Sequence, residues 1–213
     1  MKNTQNIIDA LEKAYPTAKC ELNYTTVFEL LVAVILSAQC TDKRVNEVTK
    51  TLFAVANTPE QFAVMEQSEL EKLIYSCGFY RNKAKNIISA SKAIVNDHGG
   101  EVPEDFSLML SLPGVGRKTA NVMSAEAFKK QAIAVDTHVF RTANRLGLAK
   151  AKTPFEVETQ LREVLSEDKY TRMHHLLIFH GRYTCKSQNP DCENCSLYNY
   201  CIYNKKKIKT KEV

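Results

Sequence analysis

Two closely spaced glycines at residues 112–119 (LPGVGRKT) constrain the fold of this chain more than any other feature. Apolar residues recur at helical spacing on both sides of this stretch, which predicts two helices joined by a tight turn. Pro113 ends the first helix, while Gly114 and Gly116 can adopt backbone angles closed to residues with a Cβ atom, so their N–H groups can converge on an oxygen atom. A phosphate oxygen suits this position, because the second helix begins there with the positive end of its dipole.

Two other interpretations of this turn compete with a phosphate site. Glycine-containing connections between helices are common in all-α proteins and need not bind anything. A nucleotide-binding P-loop ends in a similar way, but here Arg117 separates Gly116 from Lys118, and Ser111 stands where the earlier glycine is required. The sequence therefore argues against a P-loop and leaves an anion-binding turn or a purely structural one.

Lys118 and Asp136 add reactive groups near the turn. Lys118 lies in the first turn of the predicted second helix, where a positive charge is electrostatically disfavoured. Because a nucleophilic amine must be uncharged, this position suits a reactive lysine. Asp136 could accept protons or stabilise a cationic intermediate, but it is at least as well placed to cap a helix that starts near Val139. The two roles of Asp136 are compatible.

Composition sets limits on the class of protein. The formal net charge of +5 permits a polyanionic partner without requiring one. The longest apolar run, residues 30–36, is too short to cross a bilayer, and residues 1–14 lack the apolar core of a signal peptide. We therefore expect a soluble, cytoplasmic protein. In such a protein, seven cysteines indicate metal ligation or reactive thiols rather than disulfides.

The rest of the chain also carries helical patterns. Four threonines stand where helices are predicted to begin: Thr26, Thr41, Thr58 and Thr153. Ser68 with Glu71 predicts a further capping box, for a helix that Gly78 ends. No alternating strand pattern is convincing. The prediction is an all-α chain with about ten helices.

Four of the cysteines lie close together near the C-terminus, at Cys185, Cys192, Cys195 and Cys201. Among polar residues and next to Pro190, they suit a metal centre better than a hydrophobic core. Zinc sites usually pair two Cys-x-x-Cys knuckles, and here only Cys192 and Cys195 form one. The spacing therefore favours a 4Fe-4S cluster over zinc, and four unligated thiols are the weakest alternative.

These features together resemble one family. The hairpin LPGVGRKTANV at residues 112–122, VDTHVFR at residues 135–141 and the cysteine spacing are similar to the endonuclease III family of DNA glycosylases, in the same order and over nearly the whole chain. The resemblance implies an all-α, two-lobed helix-hairpin-helix DNA glycosylase fold. One lobe is a six-helix block at residues 21–131. The other combines residues 1–20 with residues 132–213 and carries a 4Fe-4S cluster loop at residues 185–201.

The resemblance also implies roles for single residues. Lys118 attacks the sugar C1′ atom to form a Schiff base, and Asp136 assists. The hairpin contacts DNA through five residues: Leu112, Gly114, Val115, Gly116 and Arg117. The four ligands of the 4Fe-4S cluster are Cys185, Cys192, Cys195 and Cys201.

Three further residues are implied to meet the DNA at a flipped nucleotide. Gln39 takes the vacated space, and Phe79 inserts beside it as an apolar wedge. Without the family, Gln39 is equally well explained as a polar residue at a helix end, and Phe79 as a core aromatic. His138 follows Asp136 in the family's pattern and is implied to position it, although a lone histidine is more often structural.

The cluster loop departs from the family. Its only basic residue between Cys185 and Cys192 is Lys186, and Asp191 adds a negative charge, which weakens the expected grip on phosphate. Other cations could compensate: Arg182, Lys83, Lys85 and the lysine-rich residues 205–211, although such a tail is more often only solvated.

The function implied is base excision repair. A bifunctional DNA N-glycosylase would remove oxidised pyrimidines from duplex DNA and then act as an AP lyase by β-elimination. Its expected partner is double-stranded DNA with a damaged base or an abasic site, with no membrane involved; we expect a monomer, nucleoid-associated if bacterial. Two alternatives stay open: a pyrimidine-dimer glycosylase of the same family, and a non-catalytic DNA-binding iron-sulfur protein, which would need neither Lys118 nor Asp136.

Overall fold

The protein is all-helical. The computed structural model describes residues 3–204, and the lysine-rich residues 205–211 lie outside that range. This part of the chain contains no strand, and its eleven α-helices are α1 Thr4–Ala14, α2 Val27–Ser37, α3 Asp42–Val55, α4 Pro59–Val64, α5 Gln67–Leu73, α6 Tyr80–Asp97, α7 Phe106–Ser111, α8 Arg117–Glu126, α9 Thr137–Leu146, α10 Pro154–Val164 and α11 Tyr170–Phe179. A 3-10 turn precedes α11 at Glu167–Lys169, and a π-helical turn follows it at His180–Thr184. The prediction of an all-α fold is therefore confirmed. Across residues 3–204, each helix is either too short or too polar to span a bilayer.

Local capping explains where most helices begin. Thr26, Thr58 and Thr153 each accept a hydrogen bond from the backbone N–H three residues later, and a Glu or Gln side chain at that later position bonds back to the threonine. Thr41 caps α3 through the N–H of Arg44. All four predicted threonine caps are confirmed. Each satisfies backbone donors that the first turn of a helix leaves unpaired.

The predicted capping box at Ser68 and Glu71 is wrong. Helix α5 begins earlier, at Gln67, with Glu66 in the N-cap position and no side-chain cap, and it ends at Leu73 rather than near Gly78. Leu70 is fully buried in this helix. The Glu71 side chain, which a capping box would turn back to the Ser68 N–H, instead accepts a hydrogen bond from Gln67 Nε2 at 2.7 Å, so the box does not form.

The chain divides into two compact units. The continuous unit is Glu21–Lys129, and the discontinuous unit combines Met1–Cys20 with Lys130–Val213. Each unit has its own cluster of buried apolar side chains.

Helix α2 is the centre of the continuous unit. It packs against α3, α6 and α8, and every residue from Phe28 to Leu36 is buried. Its one buried acid, Glu29, belongs to the capping box and accepts hydrogen bonds from Thr25 N at 2.6 Å and Thr25 Oγ1 at 2.7 Å. Helix α2, capped at its first turn, therefore forms the buried centre against which α3, α6 and α8 pack.

Helices α9 and α11 form the centre of the discontinuous unit. Helix α9 packs against α10, α11 and the π-helical turn, while α1 packs against α11. Arg172 on α11 fixes the N-terminal segment: its guanidinium contacts the carboxylate of Glu12 and donates to the carbonyl oxygens of Tyr15, Pro16 and Ala18. One arginine thus joins two segments that are far apart in the sequence.

Candidate nucleic-acid interface and active-site residues

The glycine hairpin joins α7 to α8, as predicted. Gly114 has a φ of +80°, and a Cβ atom there would lie 2.8 Å from Asn86 Cβ, so both backbone and packing require glycine. Gly116 is different. Its φ of −93° is open to any residue, and a Cβ atom there would meet no atom within 4 Å. The expectation of a special backbone angle thus holds for Gly114 and is wrong for Gly116, which instead leaves open space at the start of α8.

Leu112 and Val115 shape the turn from inside. Both side chains are buried, the Leu112 N–H donates to Met109 O at 3.1 Å, and the Val115 N–H donates to Leu112 O at 3.0 Å. Because these two amides are engaged within the turn, the hairpin groups best placed to meet an anion are the glycine amides and the first turn of α8.

Lys118 and Arg117 occupy the first turn of α8 and are exposed. The Arg117 guanidinium lies over the Phe106 ring, 5.5 Å from its centroid, so it braces α8 against α7. Lys118 is accessible to a large substrate at the positive end of a ten-residue helix. The sequence-predicted nucleophile and the predicted anion site therefore share one helix end.

Gln39 and Phe79 occupy neighbouring loops of the same unit. Both are exposed, and both have left-handed backbone angles, with φ of 53° and 57°. A Cβ atom on Gly78 would lie 3.4 Å from Gln39 O, so the two loops touch. Left-handed angles in residues other than glycine cost about 1–2 kcal/mol each and are retained where the surrounding structure imposes them, often at functional sites. The alternative interpretation of Phe79 as a core aromatic is wrong, because 64% of the residue is exposed.

Asp136 and His138 open helix α9 in the discontinuous unit. Asp136 Oδ1 accepts hydrogen bonds from the N–H groups of His138 and Val139, each at 2.8 Å, so the predicted N-cap is observed. His138 Nδ1 lies 3.2 Å from Arg141 Nη2. Since a guanidinium only donates, Nδ1 must be an unprotonated acceptor. Burial lowers the pKa of His138; Asp136 partly opposes this shift, and the nearby Arg141 and Arg182 reinforce it.

Arg141 links the α9 segment to the first cysteine. Its guanidinium donates to Gly181 O at 2.8 Å and to Cys185 O at 3.0 Å. A Cβ atom on Gly181 would lie 2.9 Å from His138 Cβ, so glycine lets the π-helical turn approach α9 closely. No role for Arg141 was predicted from the sequence.

Arg145, one turn further along α9, was also missed. It donates to Cys185 Sγ at 3.4 Å, Lys186 O at 2.7 Å and Ser187 O at 3.1 Å, which holds the start of the cysteine loop. The signal in the sequence was the spacing of four between Arg141 and Arg145, which puts both on one face of a helix.

The four C-terminal cysteines line a single cavity with about 310 Å³ of atom-free space, part of it open to solvent. Cys185 is buried, and the other three are partly exposed. Burial raises the pKa of the Cys195 thiol, and negative charge on the other three cysteines raises it further. Asp191 was expected to weaken the contact of this loop with phosphate. Its carboxylate accepts a hydrogen bond from Asn194 Nδ2 at 3.0 Å and so supports a turn within the loop.

The geometry of this cavity limits what it could hold. Within residues 3–204, no three His, Cys, Asp or Glu side chains converge as ligands of a single ion do. A zinc site draws all of its sulfurs to about 2.3 Å from one centre. The four thiols around this cavity are the donor set that iron-sulfur clusters use.

Comparison with known proteins agrees with this arrangement. Residues 32–167 match the family described as HhH-GPD superfamily base excision DNA repair protein. Endonuclease III of Bacillus subtilis (strain 168) is 48% identical over 210 residues, covering 98% of this chain and 96% of the relative. Endonuclease III of Escherichia coli (strain K12) is 44% identical over 200 residues, covering 94% of this chain and 95% of the relative.

A solved structure is also similar. The trapped endonuclease III–DNA covalent intermediate in its estranged-adenine complex matches with a TM-score of 0.94 and 45% identity, covering 97% of this chain and 98% of that one. The helical architecture, the glycine hairpin and these matches together assign the chain to a family. The chain belongs to the HhH-GPD superfamily of base excision DNA repair proteins and, within it, to the endonuclease III family.

Proposed function

We propose that this chain is a base excision repair enzyme, a DNA glycosylase with AP lyase activity that removes oxidised or ring-damaged pyrimidines from duplex DNA. The observation that carries the proposal is the exposed Lys118 amine in the first turn of α8, beside the glycine hairpin. The relatives are named endonuclease III, and one solved relative was trapped as a covalent intermediate with DNA, which supports the same chemistry here. In a bacterial cell, such an enzyme would act at the nucleoid.

The hairpin supplies the grip on DNA. We assign a backbone phosphate to the N–H groups of Gly114 and Gly116 and to the first turn of α8, because amides and helix dipole there favour an anion. Leu112 and Val115 hold the turn in shape from the core. Arg117 adds positive charge at the rim. Contacts of this kind fix the register of a protein on a duplex without reading sequence.

Base removal requires the damaged nucleotide to leave the stack. Flipping costs a few kcal/mol and is easiest for a damaged base, whose pairing is already weak. Gln39 would fill the vacated space through its amide, and Phe79 would wedge into the neighbouring base step. The exposure of both side chains on touching loops supports this assignment.

Lys118 carries the bond-breaking step. Its uncharged amine attacks C1′, the bond between C1′ and the base breaks, and the electron pair leaves with the base. The base takes up a proton as it leaves, and the attached nitrogen gives up one proton. The C1′–O4′ bond then breaks with a proton taken up by O4′, which leaves a protonated Schiff base between Nζ and C1′. Removal of a C2′ proton then expels the 3′ phosphate oxygen, which cleaves the strand by β-elimination.

Asp136 would stabilise the cationic sugar during this step. Its Oδ1 is held by two amides, which orients the carboxylate, and we assign the contact with the sugar to Oδ2. The start of α9 is an electrostatically favourable place for a negative charge. His138 completes the geometry through its backbone N–H and its bond with Arg141.

A 4Fe-4S cluster on Cys185, Cys192, Cys195 and Cys201 is part of the proposal. Proteins of this family generally contain an iron-sulfur group. When bound, such a cluster would fix the loop at residues 185–201 and is assigned no bond-breaking role. The loop's own residues prepare the site, since Arg145 holds the first segment and Leu197 is buried in the core.

Borohydride trapping tests the proposal. Duplexes carrying thymine glycol or an abasic site are incubated with wild type, Lys118→Ala and Lys118→Arg. Wild type should give a covalent adduct on both duplexes, and both variants should give none. Arginine keeps the positive charge, so Lys118→Arg should still bind DNA and thereby separates lost chemistry from lost binding.

Each other outcome has a definite meaning. An adduct on the abasic duplex alone keeps the lyase and moves the substrate toward pyrimidine dimers or another lesion. An adduct that persists in Lys118→Ala refutes the assignment of the nucleophile. Tight lesion binding by wild type with no adduct on either duplex favours the non-catalytic DNA-binding protein.

A further inference from the structure

Lys83 on α6 is a buried lysine with an unusual pair of partners. Its place in a polar stretch predicted a surface cation for phosphate, but only 5% of Lys83 is exposed, so that expectation is wrong. Its ammonium donates to Leu36 O at 2.8 Å and to Ala38 O at 2.7 Å. Lysines are almost never fully buried unless their charge is paired, and here backbone carbonyls act as the partners.

These carbonyls belong to the end of α2, where a helix leaves its last acceptors unpaired. Neighbouring acceptors are bonded locally: Ser37 Oγ donates to Val34 O at 2.8 Å, and Cys40 N donates to Ser37 O at 3.1 Å. The two acceptors that Lys83 binds come in the same stretch. The Ala38 N–H caps Ile35 O at 3.4 Å, and Lys83 adds two side-chain donors beside this bond, at the negative end of the helix dipole.

The same residue also reaches the second loop. The Lys83 N–H donates to Phe79 O at 3.1 Å, the first hydrogen bond of α6. Its ammonium meanwhile fixes the peptide that links Ala38 to Gln39. Lys83 thus bonds Phe79 through its backbone N–H and the neighbour of Gln39 through its ammonium, and only the second bond depends on the lysine side chain.

We propose that Lys83 is a positioning residue for nucleotide flipping: its ammonium presets the loop of Gln39, which touches the loop of Phe79, in the conformation that enters the duplex. This inference rests on the proposed function, because it gives the two exposed side chains a task on DNA. Preset loops avoid the loss of conformational freedom that ordering them on each encounter would require.

The character of the lysine site supports this role. Burial lowers the pKa of Lys83, so its charge is kept at an electrostatic disadvantage. An apolar side chain of similar length would avoid that disadvantage and still fill the space, but it would leave Leu36 O and Ala38 O without a donor. The retained function of the ammonium is therefore to hold these two carbonyls.

The test separates positioning from simple stabilisation. The variants are Lys83→Met, which keeps the length and removes the donors, and Lys92→Met, which removes an exposed lysine from the same helix. Borohydride trapping rates are measured on an abasic site in single-stranded DNA and in a duplex. Single strands need no flipping out of a stack. A duplex with 2-aminopurine opposite the abasic site reports local unstacking by fluorescence.

The proposal expects a selective loss. Lys83→Met should trap on the single strand at about the wild-type rate but should be about 10- to 100-fold slower on the duplex, the penalty of a misplacement near 1 Å, with a smaller 2-aminopurine signal. Lys92→Met should behave as wild type on both. In a Gln39→Ala background, Lys83→Met should add little further loss, since both changes disable the same loop.

Three results would overturn the inference. One is equal loss on both substrates, tracking the folded fraction, because it would make Lys83 only structural. Another is a folded Lys83→Met with wild-type duplex rates. The third is full additivity with Gln39→Ala. If Lys83→Met does not fold, Lys83→Gln keeps two donors of shorter reach and is judged by the same comparison. Failure of the proposed function looks different, because wild type would then trap on neither substrate.

Discussion

The two hairpin glycines should respond oppositely to alanine. At Gly114, alanine must hold a φ of +80° and place a methyl group 2.8 Å from Asn86 Cβ, an atom that the helix backbone of α6 keeps in place. The left-handed angle costs about 1–2 kcal/mol and the overpacking about 1–3 kcal/mol. We expect Gly114→Ala to lower the free energy of unfolding by about 2–5 kcal/mol, or about 4–20 °C in melting temperature for a chain of this length.

Gly116→Ala should leave stability nearly unchanged. Its backbone angle is ordinary, and the added methyl group meets no atom within 4 Å. Alanine restricts the unfolded chain, which stabilises by about 0.4–1 kcal/mol, and is a poorer N-cap than glycine by a similar amount. The methyl group does occupy the space proposed for a phosphate. Losing one hydrogen bond to a charged group costs about 1.5–3 kcal/mol, so affinity for DNA should fall about ten- to a hundredfold.

The assay pairs denaturant unfolding with fluorescence anisotropy on a duplex that carries an uncleavable abasic analogue, at one fixed salt concentration because such binding depends on salt. The expected pattern is an unstable Gly114→Ala and a stable, weakly binding Gly116→Ala. A Gly114→Ala protein as stable as wild type would refute the packing argument. A stable Gly116→Ala with unchanged affinity would refute the phosphate position.

Three further predictions concern the discontinuous unit. Because the pKa of His138 is lowered in the folded state, the unfolded state binds the proton first as the pH falls below about 6.5. The free energy of unfolding should therefore drop there by up to about 1.4 kcal/mol per pH unit. Urea titrations across pH should show a shallower drop for His138→Asn. Arg145→Met removes the donors to Lys186 O and Ser187 O, so it should lower the iron and sulfide content per chain. Helix content measured by circular dichroism should not change. A variant with the wild-type iron and sulfide content would contradict the role of Arg145. Arg172→Met should destabilise the unit by up to about 3 kcal/mol in thermal melts, the upper range for a charged hydrogen-bonded group that is partly exposed; an unchanged melting temperature would argue against it.

Local chemistry made the helix starts predictable. Thr26, Thr58 and Thr153 cap their helices because a capping box involves only four consecutive residues, and nothing distant has to be known. Ser68 carries the same pattern and fails, since Glu71 bonds the Gln67 side chain and pairs with Arg81 on α6 instead of capping Ser68. A pattern of the same quality thus succeeds or fails according to the other partners that its side chains meet.

Among the site residues, too, some could be predicted from the sequence and others could not. Lys118 and Asp136 could be singled out because a helix start and an N-cap are visible in the sequence. The left-handed angles of Gln39 and Phe79 could not be predicted, since neither residue is a glycine and the angles are imposed by neighbouring structure. Lys83 is a sharper case: a lysine in a polar stretch looks exposed, and its partners lie 45 and 47 residues earlier in the chain.

The discontinuous unit has a consequence for how the protein is made. Helix α1 ends at Ala14 and its packing partner α11 begins only at Tyr170, so at about 5–20 residues per second α1 is synthesised roughly 8–30 s before α11. During that interval Glu21–Lys129 can form its own core, while Ile7, Ile8 and Leu11 still lack the α11 side chains of theirs. More apolar variants of α1 should therefore harm yield through aggregation during synthesis, even where they strengthen the finished protein.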